Sequence, residues 1–228
     1  MKILKDTLNG RHFSALLTDL DGTLIHSQDA ICDALFDSFA HVGARVPEKQ
    51  EIMDMFGLPV EVMLQKLGNV KADETERIAE FIREYKRQYP VHMATGARLI
   101  KNAKETMQEI AAKGIPICLI TSERRVNAQY ILDHLELSPS IPYIISRDDV
   151  VNFKPNPEPL LNAAKLLSVP PTECVYIGES PFDIQAGVAA NAFVVAVASG
   201  NWSVESLLEH NPDALADDIS ELTPLFTE

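Results

Sequence analysis

The sequence lacks any long apolar segment. Its 228 residues contain no run near the roughly 20 apolar residues that a membrane span requires. The opening residues, MKILKDTLNGRH, become polar too early for a signal peptide. We therefore expect a cytoplasmic protein with no membrane partner.

Cysteine is scarce as well. The chain has three cysteines, Cys32, Cys118 and Cys174, which lie far apart and form no Cys-x-x-Cys pair. This spacing excludes the common zinc and redox motifs. Cys118 and Cys174 fall in segments predicted to be buried strands, so we expect core thiols.

Positive charge is in deficit. The 20 Lys and Arg residues face 33 Asp and Glu residues, which gives a formal net charge of −13. Nucleic-acid binding depends on clustered Lys and Arg side chains that neutralise phosphates. Nucleic acid is therefore not an expected partner. A small anion remains compatible with this charge, because a cleft can be locally positive on a negative protein.

Apolar residues make up 46% of the chain, which is enough for a packed interior. A strand-like segment at residues 15–17 is followed by four helix-like segments, the last of which Pro90 is expected to end. From about residue 95 onward, helix-like and strand-like segments alternate. Repeated units of this kind predict a doubly wound parallel α/β sheet. We predict an α/β core of residues 1–24 and 94–228, interrupted by a helical domain at residues 25–93.

Two carboxylates follow the first predicted strand. The segment FSALLTDLDGTL places Asp19 and Asp21 where ligands of parallel α/β sheets bind. No Lys or Arg is adjacent to either carboxylate, so the pair would repel itself unless a cation such as Mg²⁺ lies between its oxygens. Two alternatives compete with this interpretation. Asp21-Gly22 also fits a hairpin turn, and an EF-hand loop fits less well because it needs further oxygen ligands and a final Glu.

Three further polar clusters follow later core strands. Thr121-Ser122 either holds phosphate oxygens or caps the next helix. Lys154, in FKPNPEP, either neutralises a phosphate and an anionic nucleophile or simply faces solvent. Glu179 and Asp183, in GESPFD, either direct their carboxylates to one cation or cap a helix.

Together and in this order, the four segments resemble the motifs of the haloacid dehalogenase-like hydrolase superfamily. The motifs are Asp19-Leu-Asp21-Gly-Thr23, Thr121-Ser122, Lys154-Pro-x-Pro and Gly178-Glu179-x-x-x-Asp183. The helical insertion resembles the cap of its phosphoglycolate phosphatase-like branch. That branch also includes pyrophosphatases and β-phosphoglucomutases.

The resemblance implies a role for each motif. Asp19 is expected to be the nucleophile that accepts the phosphoryl group, and Asp21 the general acid and base. Thr121 and Lys154 would hold the remaining charge. Mg²⁺ is the expected cofactor, and its ligands would be Asp19, the backbone carbonyl of Asp21, Glu179 and Asp183. Glu179 departs from the family pattern, which more often has Asp, and this leaves open whether Glu179 or Asp183 touches the metal directly.

Substrate contacts are expected at five further residues. Thr23 and Ser122 lie in the motifs themselves, and His26 either reads the substrate or is a turn residue. In the expected cap, Arg45 and the Gly57 turn are the candidates, although a turn between helices explains Gly57 equally well.

The resemblance implies a Mg²⁺-dependent phosphatase that acts on a small phosphorylated metabolite, as a monomer or a homodimer. A phosphomutase of the β-phosphoglucomutase type and an inorganic pyrophosphatase are the alternatives. The expected cap shows no obvious His and Lys arrangement of the mutase kind. A phosphate-binding protein without catalysis is the remaining hypothesis.

Overall fold

The computed structural model describes residues 2–3, 11–55, 58, 60–199 and 202–226. The chain folds as two compact units. The first combines Met1–His26 with Arg98–Glu228, and the second is Ser27–Ala97. We call the first the α/β unit and the second the helical unit.

The α/β unit is built on one large sheet. The strands of the described residues are β1 Lys2–Ile3, β2 Ala15–Thr18, β3 Ile25–His26, β4 Arg98–Leu99, β5 Ile117–Ile120, β6 Tyr143–Ile145, β7 Cys174–Gly178, β8 Phe193–Val197 and β9 Ala214–Ala216. Seven of them form the large sheet in the order β1-β9-β8-β7-β2-β5-β6. The pairs from β9 to β6 are all parallel, and only β1 joins its neighbour in the antiparallel sense. Strands β3 and β4 form a separate antiparallel pair.

Helices connect these parallel strands. Those of the α/β unit are α5 Ala103–Ala112, α6 Arg125–His134, α7 Glu158–Leu167, α8 Pro181–Ala189 and α9 Val204–Leu208, with 3₁₀ turns at Arg147–Asp149, Pro171–Glu173 and Ile219–Phe226. The predicted doubly wound α/β fold is therefore confirmed. Within the described part of the chain, no helix has the length and apolar composition needed to cross a membrane.

Strand β2 lies in the interior of the sheet, and Ala15, Leu16 and Leu17 give it apolar side chains on both faces. All four of its residues are buried, and it pairs with β5 on one side and β7 on the other. Leu17 stands opposite Cys118 in β5 and Tyr176 in β7. Cys118 is buried as a free thiol, as predicted for the core. The register brings the carboxyl ends of three neighbouring strands to the same edge of the sheet.

The helical unit contains α1 Gln28–His41, α2 Lys49–Met53, α3 Val60–Leu67 and α4 Thr75–Gly96. Helices α1 and α4 pack through an edge-on contact between the rings of Phe39 and Phe81, whose centroids are 5.0 Å apart. Gly96 allows a second close approach, because a Cβ there would lie 2.8 Å from the Cβ of Ala30. Ring contacts of this kind add to the free energy gained by burial.

The expectation that Pro90 ends the last of these helices is wrong. Helix α4 continues through Pro90 to Gly96. Proline removes one backbone hydrogen bond from a helix interior. Tyr89 and Met93, on either side of it, are both fully buried, and this packing offsets the loss. The predicted boundary at residue 93 consequently falls inside a helix.

A buried carboxylate on α4 makes the helical unit sensitive to acid. Glu84 accepts hydrogen bonds from Arg87 Nε at 2.9 Å, Arg87 Nη2 at 2.6 Å and Gln88 Nε2 at 2.8 Å. The bonds from Arg87 lower the pKa of Glu84 to about 2, although burial acts in the opposite direction. Because this pKa lies below the unfolded value of 4.5, the ionised side chain stabilises the fold above that pH.

We expect Glu84→Gln to lower the free energy of unfolding at pH 7 by about 2 kcal/mol, the usual size of hydrogen bonds to a charged group. The difference from wild type should shrink as the pH falls from about 4.5 toward 2, where wild-type Glu84 becomes protonated. Urea unfolding at several pH values measures both effects. Glu76→Gln, at an exposed position of the same helix, is the matched control. If the difference in free energy of unfolding between wild type and Glu84→Gln does not change with pH, the ionised Glu84 side chain is not its source.

Candidate active site

The first predicted carboxylate follows β2 directly. The Asp19 backbone N–H donates to the carbonyl of Ile177 at 3.0 Å, so the hydrogen bonding between β2 and β7 continues one residue beyond the strand. The chain then turns at Gly22, whose φ of +78° favours glycine. The Gly22 N–H closes the turn by donating to the carbonyl of Ile25 at 2.8 Å. A turn is therefore present at Gly22, and it presents Asp19 at the strand end. It is not the hairpin turn of the alternative, because β2 pairs with β5 and β7 while β3 pairs with β4.

Lys154 joins two of the predicted carboxylates. Its Nζ donates to Asp19 Oδ1 at 2.7 Å and to Asp183 Oδ1 at 2.6 Å. The side chains of Lys154, Asp19 and Asp183 are only 8%, 10% and 2% exposed. The solvent-facing alternative for Lys154 is thereby wrong. Three segments separated widely in sequence meet at one buried ion triad.

Asp183 is held by more than Lys154. Its Oδ1 also accepts from the Tyr176 hydroxyl at 2.7 Å, and its Oδ2 accepts from Ser180 N at 3.0 Å and Ser180 Oγ at 2.6 Å. Ser180 in turn accepts from the Asp183 N–H, which completes a capping box at the start of α8. The helix-capping interpretation of Asp183 is therefore correct, and it coexists with the contact to Lys154.

Tyr176 and Ser180 were missed from the sequence. The signal for Ser180 was available, since Ser followed three residues later by an acidic side chain at a helix start indicates a capping box. Tyr176 gave only the general signal that a buried tyrosine hydroxyl needs a partner. Which partner it finds depends on the fold of the whole sheet.

Charge is not shared evenly within the triad. Burial would lower the pKa of Lys154, but Asp183 and Asp19 raise it well above its usual value, so the ammonium is retained. Burial would raise the pKa of Asp183, but Lys154, Ser180 and Tyr176 lower it overall. Burial raises the pKa of Asp19 to about 7 despite Lys154, with help from the charges of Asp183 and Asp21. The ionised Asp19 carboxylate is thus the most costly charge in the site.

Glu179 lies against the turn that follows Asp19. A Cβ on Gly22 would stand 2.8 Å from both Cγ and Cδ of Glu179 and 2.9 Å from its Oε1. Glu179 is buried, with 6% exposure. The longer side chain at this position is therefore accommodated by the absence of a side chain at Gly22.

We expect Gly22→Ala to lower kcat/KM by about 100-fold, because the clash with Glu179 displaces a loop that carries Asp21. Gly114→Ala is the matched control, since Gly114 has the same φ of +78° but nothing within 4 Å of its missing Cβ. Both variants carry the strain of a positive φ, and only Gly22→Ala adds the clash. Equal losses of activity in the two variants would show that the positive φ, and not the clash with Glu179, causes the loss.

The donor set suits a hard divalent cation. Asp19, Asp21, Glu179 and Asp183 offer only carboxylate and backbone oxygens, the ligands that Mg²⁺ prefers. Three of these side chains, those of Asp19, Glu179 and Asp183, are buried. The one positive charge of Lys154 does not balance their negative charges, and a bound cation would compensate the excess.

The side chains at the strand ends do not form a complete metal site by themselves. Among the residues that the structure describes, no group of three or more His, Cys, Asp or Glu side chains is placed to hold a metal ion. Both oxygens of Asp183 already accept two hydrogen bonds each. Asp183 would therefore have to give up one of these hydrogen bonds to bind a cation directly.

The hydroxyl cluster follows β5, the neighbour of β2. Thr121 is buried, and its Oγ1 accepts from the Glu123 N–H at 3.0 Å. Helix α6 begins only at Arg125, with Arg124 as its N-cap. The N-cap alternative for Thr121-Ser122 is therefore wrong, because Glu123 separates the pair from that cap. Thr23 contacts the triad directly, with its Oγ1 3.4 Å from Asp19 Oδ2.

The remaining candidates lie outside the triad. His26 is exposed in β3, opposite Arg98 in β4. In the helical unit, Arg45 donates to Glu51 Oε2 at 2.6 Å and to the Leu67 carbonyl at 3.2 Å. Gly57 is outside the described residues.

Fold and site together define an α/β enzyme with carboxylates and a buried lysine at its strand ends. The model of the haloacid dehalogenase-like hydrolase family matches residues 16–197. The chain belongs to this family. Its relatives in this family include proteins named as phosphatases and pyrophosphatases.

Two relatives and one solved structure illustrate the likeness. The chain is 26% identical to the pyrophosphatase PpaX of Bacillus mycoides, over 94% of this chain and 97% of that protein. It is 27% identical to a phosphoglycolate phosphatase of Pectobacterium atrosepticum, over 92% and 91%. A haloacid dehalogenase-like hydrolase from Streptococcus pneumoniae has the same fold, with a TM-score of 0.79, 22% identity, and coverage of 94% of this chain and 99% of that one.

Proposed function

We propose that this chain is a Mg²⁺-dependent phosphatase that hydrolyses a small phosphorylated metabolite through an aspartyl-phosphate on Asp19. The observation that carries the proposal is the buried Lys154 ammonium, 2.7 Å from Asp19 and 2.6 Å from Asp183. A carboxylate that attacks a phosphate must approach another anion. A fixed positive charge beside it reduces that repulsion, and positioning and charge compensation are the main sources of catalysis in phosphoryl transfer.

In the first step, one Asp19 oxygen attacks phosphorus and the bond from phosphorus to the leaving oxygen breaks. Asp21 gives a proton to that oxygen, so the first product leaves as a neutral hydroxyl. In the second step, Asp21 takes a proton from water as the water oxygen attacks phosphorus. The bond to Asp19 then breaks, which releases phosphate, restores the Asp19 carboxylate and leaves Asp21 protonated for the next cycle.

The other residues hold the reacting groups. Lys154 neutralises Asp19 and the transferring phosphoryl group, while Thr121 and Ser122 donate hydroxyl hydrogen bonds to phosphoryl oxygens. Asp19, the Asp21 carbonyl and Glu179 would hold Mg²⁺. When bound, the cation supplies positive charge to the phosphoryl oxygens. Asp183 supports the site through Lys154.

The substrate is proposed to be a small anionic phosphate compound met in the cytoplasm. The names of the relatives, pyrophosphatase and phosphoglycolate phosphatase, support this class. Thr23, His26, Arg45 and Gly57 remain the predicted substrate contacts. Arg45 would have to exchange its contact with Glu51 for the substrate anion.

Phosphate release from a panel of compounds tests the proposal. The panel contains 2-phosphoglycolate, pyrophosphate and several sugar phosphates, each with Mg²⁺ and with EDTA. We expect release that requires Mg²⁺ and is absent from Asp19→Asn. The substrate with the highest kcat/KM defines the class.

The alternatives give other results. An isomerised sugar phosphate without free phosphate would indicate a phosphomutase, which can use the same aspartyl-phosphate. Binding of panel compounds without any turnover would indicate a phosphate-binding protein. Release that Asp19→Asn retains would refute the mechanism.

A further inference from the structure

Tyr176 is a buried polar residue that the reaction scheme above does not use. It lies in the middle of β7, and its side chain is fully buried. Its hydroxyl is 2.7 Å from Asp183 Oδ1 and 3.4 Å from Lys154 Nζ. The hydroxyl therefore contacts two members of the ion triad from a fully buried position.

The hydrogen bonds of Asp183 show what this hydroxyl does. Each carboxylate oxygen can accept about two hydrogen bonds. Oδ2 accepts both of its bonds from Ser180, and Oδ1 accepts one from Lys154 and one from Tyr176. Burial and the neighbouring Asp183 raise the pKa of Tyr176 well above its usual value, so the hydroxyl keeps its proton and donates. Tyr176 thus takes the one acceptor site on Oδ1 that Lys154 leaves.

We propose that Tyr176 is a positioning residue, which holds the Lys154 ammonium between Asp183 and Asp19 by satisfying Asp183 Oδ1. This inference rests on the proposed function. Lys154 is attracted by two carboxylates at nearly equal distances, 2.7 Å and 2.6 Å. A carboxylate with one donor fewer attracts its remaining donor more strongly, because less of its charge is compensated. Without the hydroxyl, Lys154 moves toward Asp183 and away from the nucleophile.

The variant Tyr176→Phe tests this role, because it removes the hydroxyl and keeps the ring that packs in the core. We expect kcat to fall about tenfold and KM to change less than twofold, since the displaced charge matters most in the transition state. A tenfold change corresponds to about 1.4 kcal/mol. Tyr143→Phe is the matched control. Tyr143 lies in β6, is 40% exposed and makes no contact with the ion triad.

A double-mutant cycle with Lys154→Met separates positioning from a general effect on the core. The rates are measured under single-turnover conditions at high enzyme concentration, because the Lys154→Met variants have little activity. If Tyr176 acts through Lys154, adding Tyr176→Phe to Lys154→Met changes the rate less than twofold. All assays are run at least roughly 10 °C below the unfolding midpoint of each variant, because a severe mutation can shift that midpoint by about this much.

Several results would overturn the inference. They are an unchanged kcat in Tyr176→Phe, a KM that rises as much as kcat falls, an undiminished loss in the Lys154→Met background, and failure of Tyr176→Phe to fold. The last counts because a positioning role leaves the core intact. Failure of the proposed function is distinct, since wild type itself would then release no phosphate from the panel.

Discussion

Asp19→Asn is expected to abolish phosphate release, with a loss on the order of 10⁴-fold or more, as for other nucleophile replacements. The amide keeps the size of the side chain and an oxygen that can accept from Lys154, but it cannot attack phosphorus. The loss should appear in both single-turnover and steady-state rates, because no aspartyl-phosphate forms. Mass spectrometry of acid-quenched samples should find a phosphorylated chain in wild type only.

Stability should behave differently from activity in this variant. Burial raises the pKa of Asp19 from its ordinary value of 3.8 to about 7, so the ionised carboxylate costs free energy of folding. This cost grows as the pH rises from 3.8 toward 7. The pKa of about 7 already includes the attraction to Lys154. We therefore expect the uncharged amide to have a higher unfolding midpoint than wild type at pH 8 in EDTA, and this difference to shrink as the pH falls from 7 toward 3.8. Asp217→Asn, at an exposed position of the α/β unit, should change neither property.

Lys154→Met should lower both activity and stability. We expect kcat/KM to fall by about 10³-fold, because the variant loses a buried charge aimed at the phosphoryl transfer. It also leaves Asp19 and Asp183 buried without their cation. Removing one partner of a buried ion pair costs about 3–5 kcal/mol. Thermal unfolding and phosphate release measure the two effects separately.

The stability loss should depend on pH. Without Lys154, the two carboxylates repel each other and their pKa values rise, so mild acid protonates one of them and relieves the cost. The difference in unfolding midpoint from wild type should therefore narrow as the pH falls from 8 to 5. Lys165→Met removes an exposed lysine on α7 and is the control. A loss of stability that is constant with pH would show that packing, not charge, is responsible.

The sequence predicted the sheet well because parallel strands leave a simple signal. Residues 15–17, 117–120 and 174–177 are continuous apolar runs, and polar residues that end such runs must meet at one edge of a parallel sheet. The approach of the segments that carry Asp19 and Asp183 follows from this rule without any knowledge of distances, whereas Lys154 lies in a loop well after β6. Short elements left no comparable signal. The two-residue strands β3 and β4 pair only because the fold brings them together.

Other features depend on contacts that local patterns do not contain. Pro90 predicts a helix end, but burial of Tyr89 and Met93 decides the outcome. The partner of Tyr176 depends on how β7, α8 and the Lys154 loop are arranged around it. The place of Glu179 likewise depends on Gly22, which is distant in sequence. Local chemistry thus predicts which residues gather, and tertiary packing determines what each one touches.

The capping box at Ser180 and Asp183 joins two tasks in one side chain. The same carboxylate that completes the first turn of α8 also anchors Lys154. Fraying of that turn, the commonest local opening of a helix, would at once release the ammonium from its anchor. The integrity of the reaction centre and the hydrogen-exchange protection of the first α8 amides should therefore rise and fall together, as properties of one cooperative unit.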